Sequence, residues 1–440
     1  MSGGRALGAG RHEGVSPTQD RTLHNVSVKG IEVIESESTV SGLFVALLLL
    51  SLCLTRPSIF GQQLTVLGGL GIVVTTLAFL VTRTRPMLVS KSSPEGRTAV
   101  ALLAFWSYVF AMSVFYGSSN LSYLLKATAG GFSVAICFLL LSANGNLINQ
   151  TFSALARLNA VLGYSIAITI CLLPIVGYAG LRVATYTIGG YDDSDLGNGD
   201  VLFPFSVVYG VMKDYGIYRF CGIYREAGIA QAFFVWSFVY LVYSRARIYW
   251  IAGALLGAIL CGATAVVISL GAAAVVHFGS RALHRPRELI LLLILLTALA
   301  LLLIFVPGIG LIDKAATHGA SITDRQEAMR LALPGSDGWR WLFGHGLFYE
   351  SMEAMESAGI NAIAAIFGIG AIGFVMYLWT FFAGAFASRS YADGCRYLTL
   401  MAPFIVTSLF FQPVIDAPLL MAVLFLRPPP VRKSSKGVAA

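Results

Sequence analysis

A chain of 440 residues in which 57% of side chains are hydrophobic and only 12% charged lies outside the range of a water-soluble domain. Its net charge of +8 is read as anchoring to a membrane surface, not as a nucleic-acid footprint. Six cysteines, four of them (Cys53, Cys137, Cys171, Cys261) within apolar runs, do not make a disulfide framework.

Residues 1–41 are polar, lack the apolar core of a signal peptide, and read as a disordered cytoplasmic tail. Apolar runs then follow near 42–55, 63–82, 98–117, 124–143, 159–179, 227–244, 248–280, 287–306, 361–384 and 397–426, and a second tail occupies 427–440. A helix needs about 20 apolar residues to cross the hydrocarbon core, so 42–426 is expected to be an all-α polytopic membrane domain of about ten to twelve transmembrane helices.

Arg83, Arg85, Lys91, Arg97, Arg157, Arg245, Arg247, Arg281, Arg285, Arg287, Arg389, Arg396 and the basic C-terminal tail mark the cytoplasmic ends. Arg245/Arg247 and Arg281/Arg285/Arg287 share a side only if 248–280 crosses an even number of times, which predicts a helical hairpin turning near Gly262. "FQPVIDAP" splits 397–426 in the same way, through Pro413, Asp416 and Pro418. Twelve spans with both termini inside result. Each half-hairpin has only about 13 to 16 residues, so tilt, thinning or re-entrance has to cover the deficit, and counts of ten or eleven stay open. On the twelve-span reading two long loops, 180–226 and 307–360, share one extracytoplasmic face.

The spans carry almost no Asp, Glu, Lys or Arg; Asp416, in a proposed outer turn, is the main exception. Ion-coupled transporters place such groups at mid-membrane, so chemistry at the outer surface is favoured over transport. The stretch "RFCGIYREAGIAQAF" (219–233) locates it. Arg219, Arg225 and Glu226 stand just before the N-terminus of a span, where unpaired N–H groups and the helix dipole suit a phosphate. Gly222 and Gly228 are expected to let a ligand approach the backbone. The alternative is that the arginines pair with Glu226 and Asp214 and anchor the loop.

In the second loop, Thr323 and Gln326 form a capping box for a short helix ending at Pro334-Gly335, and Glu327 with Arg330 can be a surface pair. His345 lies between Gly344 and Gly346, which are expected to leave its ring accessible; capping the turn is the alternative role. "YDDSDLGNGD", with Asp192, Asp193, Asp195 and Asp200, lacks the spacing of a calcium loop and reads as solvated chain, so no metal is assigned. No nucleotide motif appears, and no cofactor is expected.

Arg219-x-x-Gly222-x-x-x-Glu226-x-Gly228 resembles the R-x-x-G-x-x-x-E-P-G signature of the bacterial O-antigen polymerase and ligase superfamily. "TDRQEAMRLALPGSDGWRWLFGHGLF" resembles that family's arginine-started helix and G-x-G turn, with Arg325, Gly344 and Gly346 at the matching positions, and "GINAIAAIFGIGAIGF" its glycine-punctuated last third. Two positions depart from the pattern: Ala227 replaces proline, and Ile360 precedes Asn361 where ligases have histidine, which favours a polymerase.

The resemblance implies a glycosyltransferase of the outer face of the bacterial inner membrane. Its donor is a glycan on polyprenyl pyrophosphate and its acceptor another lipid-linked oligosaccharide, with a flippase and a chain-length regulator as possible partners. Arg219 and Arg325, helped by Arg225 and Arg330, would hold the pyrophosphate, and Glu226 or His345 would supply a base. An O-antigen ligase and a lipid-linked glycan transporter are the alternatives.

Overall fold

The computed structural model describes residues 42–82, 93–116, 121–187, 198–212, 217–282, 285–305, 338–346, 366–388, 390–410 and 416–429. From Phe44 onward the chain forms one unit. Its helices are α1 (Gly42–Cys53), α2 (Gly61–Val81), α3 (Pro94–Phe115), α4 (Leu121–Ser142), α5 (Gly145–Leu181), α6 (Ala227–Tyr243), α7 (Ile248–Leu260), α8 (Ala265–Ala282), α9 (Pro286–Phe305), α10 (Trp339–Phe343), α11 (Ile366–Phe386), α12 (Tyr391–Phe410) and α13 (Pro418–Val423). Among the described residues five helices, α2 to α5 and α11, are long and apolar enough to cross a membrane, and the chain is a predominantly helical membrane protein.

The centre of the bundle is α6, where Ala227 and every residue from Ile229 to Ser237 are buried. A helix that is apolar all round has no face for water and suits either lipid or the protein interior; the packing of its neighbours puts this one inside. Phe233 and Trp236 pack against Phe404 of α12, and Trp236 against Phe152 of α5. Buried polar groups cross-link these helices: Asn159 of α5 donates to Ser237 (2.9 Å), and Gln231 donates to Thr407 of α12 (2.6 Å).

The expected hairpin within 248–280 is present as α7 and α8, joined by Cys261–Thr264 with Gly262 at φ +67°. That φ is a left-handed conformation glycine reaches without strain. The 13 residues of α7 extend about 20 Å, short of a hydrocarbon core of about 30 Å. Small residues hold α7 against α5: a Cβ on Gly163 would come within 1.9 Å of the Gly253 carbonyl, and one on Gly253 within 2.5 Å of the Ala160 carbonyl. Below the hairpin, the Arg157 guanidinium lies 5.9 Å over the Trp250 ring.

A four-stranded antiparallel sheet, which the helical reading of the sequence did not include, fills much of the segment between α5 and α6. Strands β1 (Arg182–Thr187), β2 (Asn198–Leu202), β3 (Ser206–Met212) and β4 (Ile217–Phe220) pair in chain order. The β2–β3 turn reaches back along α5: Ser165 Oγ donates to the Phe205 carbonyl (2.7 Å) and accepts its N–H (3.0 Å), while Thr169 Oγ1 donates to the Phe203 carbonyl (2.8 Å). Thr169 is about two turns before the break at Gly177, so the sheet lies beside that helix.

At the opposite end of the bundle, Arg427 after α13 pairs with Glu95 in the first turn of α3 and donates to the Ser142 carbonyl that ends α4 (3.3 Å). This contact ties the end of the described chain to two helix termini.

Candidate functional site

Three turns meet at the other end. The α1–α2 turn runs beside residues 223–225 as a short antiparallel pair: Ser58 bridges Tyr224, the Ile59 N–H donates to the Ile223 carbonyl (2.9 Å), and the Arg225 N–H donates to the Pro57 carbonyl (3.0 Å). Arg56 in turn accepts the Leu419 N–H at its carbonyl (3.1 Å) and donates from Nη1 to Asp416 Oδ2 (2.9 Å), so the turn before α13 joins the other two.

Arg225 and Glu226 stand side by side, Nε to Oε1 at 3.7 Å, too long for a strong hydrogen bond but close enough for an ion pair. Glu226 is the N-cap of α6, with extended backbone (φ −143°, ψ 151°) and no capping bond from its side chain. Its carboxylate is thus turned to Arg225 instead of to the helix N–H groups. This favours the orienting role over the base. Arg219, on β4, is half-buried, and the Gly262 position in the α7–α8 turn faces the carbonyl of its neighbour Tyr218.

What fixes the 219–226 stretch is Tyr224, fully buried and stacked on Phe233 at 4.4 Å between ring centroids. Its hydroxyl donates to Asn159 Oδ1 (2.8 Å), continuing the chain to Ser237. Burial pushes the phenol well above its ordinary pKa, against the smaller pull of the Asn159 bond, so it stays a neutral donor. Asn159 lies about five turns before Gly177, where a φ of +77° breaks α5. The charged stretch is therefore drawn in alongside α5.

That position alters one sequence argument. The helices are poor in ionisable groups, but the turns between them carry Arg56, Arg225, Glu226 and Asp416 into the bundle's end, so charge is not confined to a surface beyond the spans.

Two glycine expectations are corrected. Gly222 has φ +58°, yet a Cβ there would face Phe234 (3.3 Å) and Leu162 (3.7 Å), so its bare side meets the core and not a ligand. Gly344 (φ +82°) and Gly346 (φ +91°) do not expose His345, which is only 7% accessible. A Cβ on Gly344 would lie 2.2 Å from the Gly368 carbonyl, the Gly346 N–H donates to that same carbonyl (2.9 Å), and Gly346 abuts Ser113 of α3. The glycines press the turn onto α11 and α3, and the histidine is buried with it. Tyr108 adds a bond from its hydroxyl to the Phe343 carbonyl (2.9 Å).

Arg325 and Arg330 lie outside the described residues, as do Thr323, Gln326, Glu327, Pro334, Gly335, Asp192, Asp193, Asp195, Asp214, Ile360 and Asn361. Asp200 is described, on β2, accepting from Tyr178 (2.6 Å) and Thr185 (2.6 Å); the first bond ties the sheet to α5 and the second ties β2 to β1. Among the described residues no group of three or more His, Cys, Asp or Glu could hold a metal ion. All six cysteines are free thiols. A small cavity between α3, α11 and α13, lined by Phe105, Trp106, Tyr377 and Met421 among others, contains none of the charged residues of the site.

Sequence reasoning missed Arg56, a lone charge in "TRPSIF" between two apolar runs, and the partner of Asp416, 360 positions away. The signal was the pairing itself: two opposite charges, each in a turn on the same predicted face. No protein-family model, curated protein or solved structure matches this chain.

Proposed function

We propose that the chain is a polysaccharide polymerase of the bacterial inner membrane, with twelve spans and both termini cytoplasmic. It would transfer a glycan from polyprenyl pyrophosphate to another lipid-linked oligosaccharide at the outer face. The observation that carries the reading is the Arg225–Glu226 pair at the N-terminus of α6, held by the buried Tyr224 and adjoining the turn that bears the Arg56–Asp416 pair, with Arg219 on the strand that leads into it. The sequence resemblance supplies the reaction class.

In the reaction the anomeric C–O bond of the donor breaks and its electrons stay with the departing pyrophosphate. The acceptor hydroxyl forms the new glycosidic bond and loses its proton. Guanidiniums placed where the negative charge grows stabilise that change, and the planar fork of arginine suits phosphate oxygens. Arg219 and Arg225 take this role, with Arg325 and Arg330 from the second loop. Glu226 orients Arg225, and His345 can receive the acceptor proton only if its turn opens, since the ring is buried.

A lipid-linked glycan transporter is the second reading, favoured by the charged turns drawn in beside α5. One experiment separates them. Purified protein given lipid-linked repeat units in detergent is expected to lengthen them without nucleotide sugar or ion gradient. Movement of such units across liposomes with no extension would establish the transporter instead.

The topology has its own test. Single cysteines at Ser194 and Gly335 in a cysteine-free background are expected to react with an impermeant maleimide on intact cells. Labelling of only one would remove the shared outer face.

A further inference from the structure

We propose that the four-stranded sheet is seated in the surface of the bilayer, with the start of β1 and the β2–β3 turn reaching the lipid acyl chains beside α5. This contact is with lipid alone and does not depend on the polymerase reading.

Along α5 the exposed apolar residues Val161, Ile168 and Ile175 recur every seven positions, which puts them on one side of the helix. Since α5 is long and apolar enough to cross a membrane, that stripe is its lipid-facing side. The sheet joins the same helix below the top of the stripe. Thr169, the residue after Ile168, donates to the Phe203 carbonyl in the β2–β3 turn. Val176 follows seven residues later, on the same side as Thr169, and stands exposed about 10 Å further along the helix. The turn therefore has open apolar side chains both beside it and beyond it. A loop lying wholly in water would join α5 past the last of them.

The sheet's own side chains agree with this level. Phe203 is 52% exposed and Val183 68%. Both lie at one end of the sheet, because the Phe203 N–H donates to the Leu181 carbonyl (2.8 Å) and Arg182 pairs with Leu202. Further along the strands the groups are polar: Asp200 accepts from Tyr178 and Thr185, and Tyr178 stacks on Tyr218 at 5.1 Å between ring centroids. An apolar tip below tyrosines, with Arg182 exposed between the two, is the order that a membrane interface selects. As the edge strand, β1 leaves backbone N–H and C=O groups unpaired, and the hydrocarbon core does not tolerate such an edge. The tip accordingly stops at the boundary between headgroups and acyl chains. Lipid, and not a second copy of the chain, is the occupant because the patch runs on into the lipid-facing stripe of α5. So seated, the sheet holds β4, and Arg219 with it, at the membrane surface.

Nitroxide labels on single cysteines test this in the full chain, taken from a cysteine-free background into phosphatidylcholine vesicles. Oxygen concentrates in lipid and a nickel chelate stays in water, so power-saturation electron paramagnetic resonance tells the two surroundings apart. Labels at Val183→Cys and Phe203→Cys are expected to collide with oxygen more often than with the chelate, as a label at Ile175→Cys does. A preference for the chelate at either sheet position would put the tip in water and overturn the proposal. Poor access to both reagents would mean that protein covers the patch, a second copy included, and would overturn it equally. Should Phe203→Cys not fold, Val183→Cys decides alone, since its side chain is the more exposed of the two. A chelate preference at Ile175→Cys would remove the lipid face of α5, and the seat of the sheet with it.

Discussion

Alanine at Arg219 is expected to cut chain extension by about 100-fold or more, while protein level and heat stability stay near wild type. Losing a donor aimed at developing charge costs about 3 to 4 kcal/mol of transition-state stabilisation, and each 1.36 kcal/mol is about tenfold in rate. Arg219 stands on β4, whose place is set by backbone pairing to β3 and by the bond from the Cys221 N–H to the Val207 carbonyl (2.7 Å), so its side chain can be removed without undoing the strand. Arg219→Lys should recover only part of the activity, because an ammonium keeps the charge and loses the fork. The same series at Arg325 should behave alike. Full-length polymer from Arg219→Ala and Arg325→Ala proteins made at normal levels would show that these charges only hold their loops.

Stability, not activity, is the expected casualty at the other end of the bundle. Arg427→Ala leaves the Glu95 carboxylate, 4% exposed, without its cation; because Arg427 itself is 47% exposed, the expected loss is about 1 to 3 kcal/mol, less than for a fully buried pair. Glu95 Oε2 has no hydrogen-bond partner, so Oε1 then joins it as a buried oxygen that has lost its donor. Neutralising the carboxylate as well, in Arg427→Ala with Glu95→Gln, should restore most of the midpoint of thermal unfolding in detergent, because no charge is then stranded. A double variant as weak as the sum of the two single ones would mean that the two residues act independently.

Much of the helical architecture could be read from the chain because lipid imposes a simple rule: apolar runs of fixed length, with basic residues at one end. That 248–280 is two helices with a turn at Gly262 was expected from Arg245/Arg247 and Arg281/Arg285/Arg287, and the turn stands where it was expected. The sheet was harder. "RVATYT" and "SVVYGVM" carry the β-branched and aromatic residues of strands, but their pairing depends on hydroxyls of α5, Ser165 and Thr169, that read as unremarkable span residues.

The site divides in the same way. Arg219, Arg225 and Glu226 were visible because they are crowded together in sequence. Arg56 was not, since its place comes from the pairing of its turn with residues 223–225 and from a partner 360 positions later. The His345 expectation failed for a related reason: flanking glycines can expose a side chain or let a backbone come close to its neighbour, and only the positions of Gly368 and Ser113 decide which.

The Arg56–Asp416 contact also carries a consequence for how the protein is made. Synthesis runs from the N-terminus, so the turn bearing Arg56 is available to receive residues 223–226 as soon as β4 leaves the ribosome. Asp416 is produced some 360 residues after its partner, when nearly all the other helices have been delivered to the membrane. The guanidinium is therefore set into its final orientation only after those helices have been made, and a chain cut short before Asp416, however well its early helices insert, leaves Arg56 without this carboxylate.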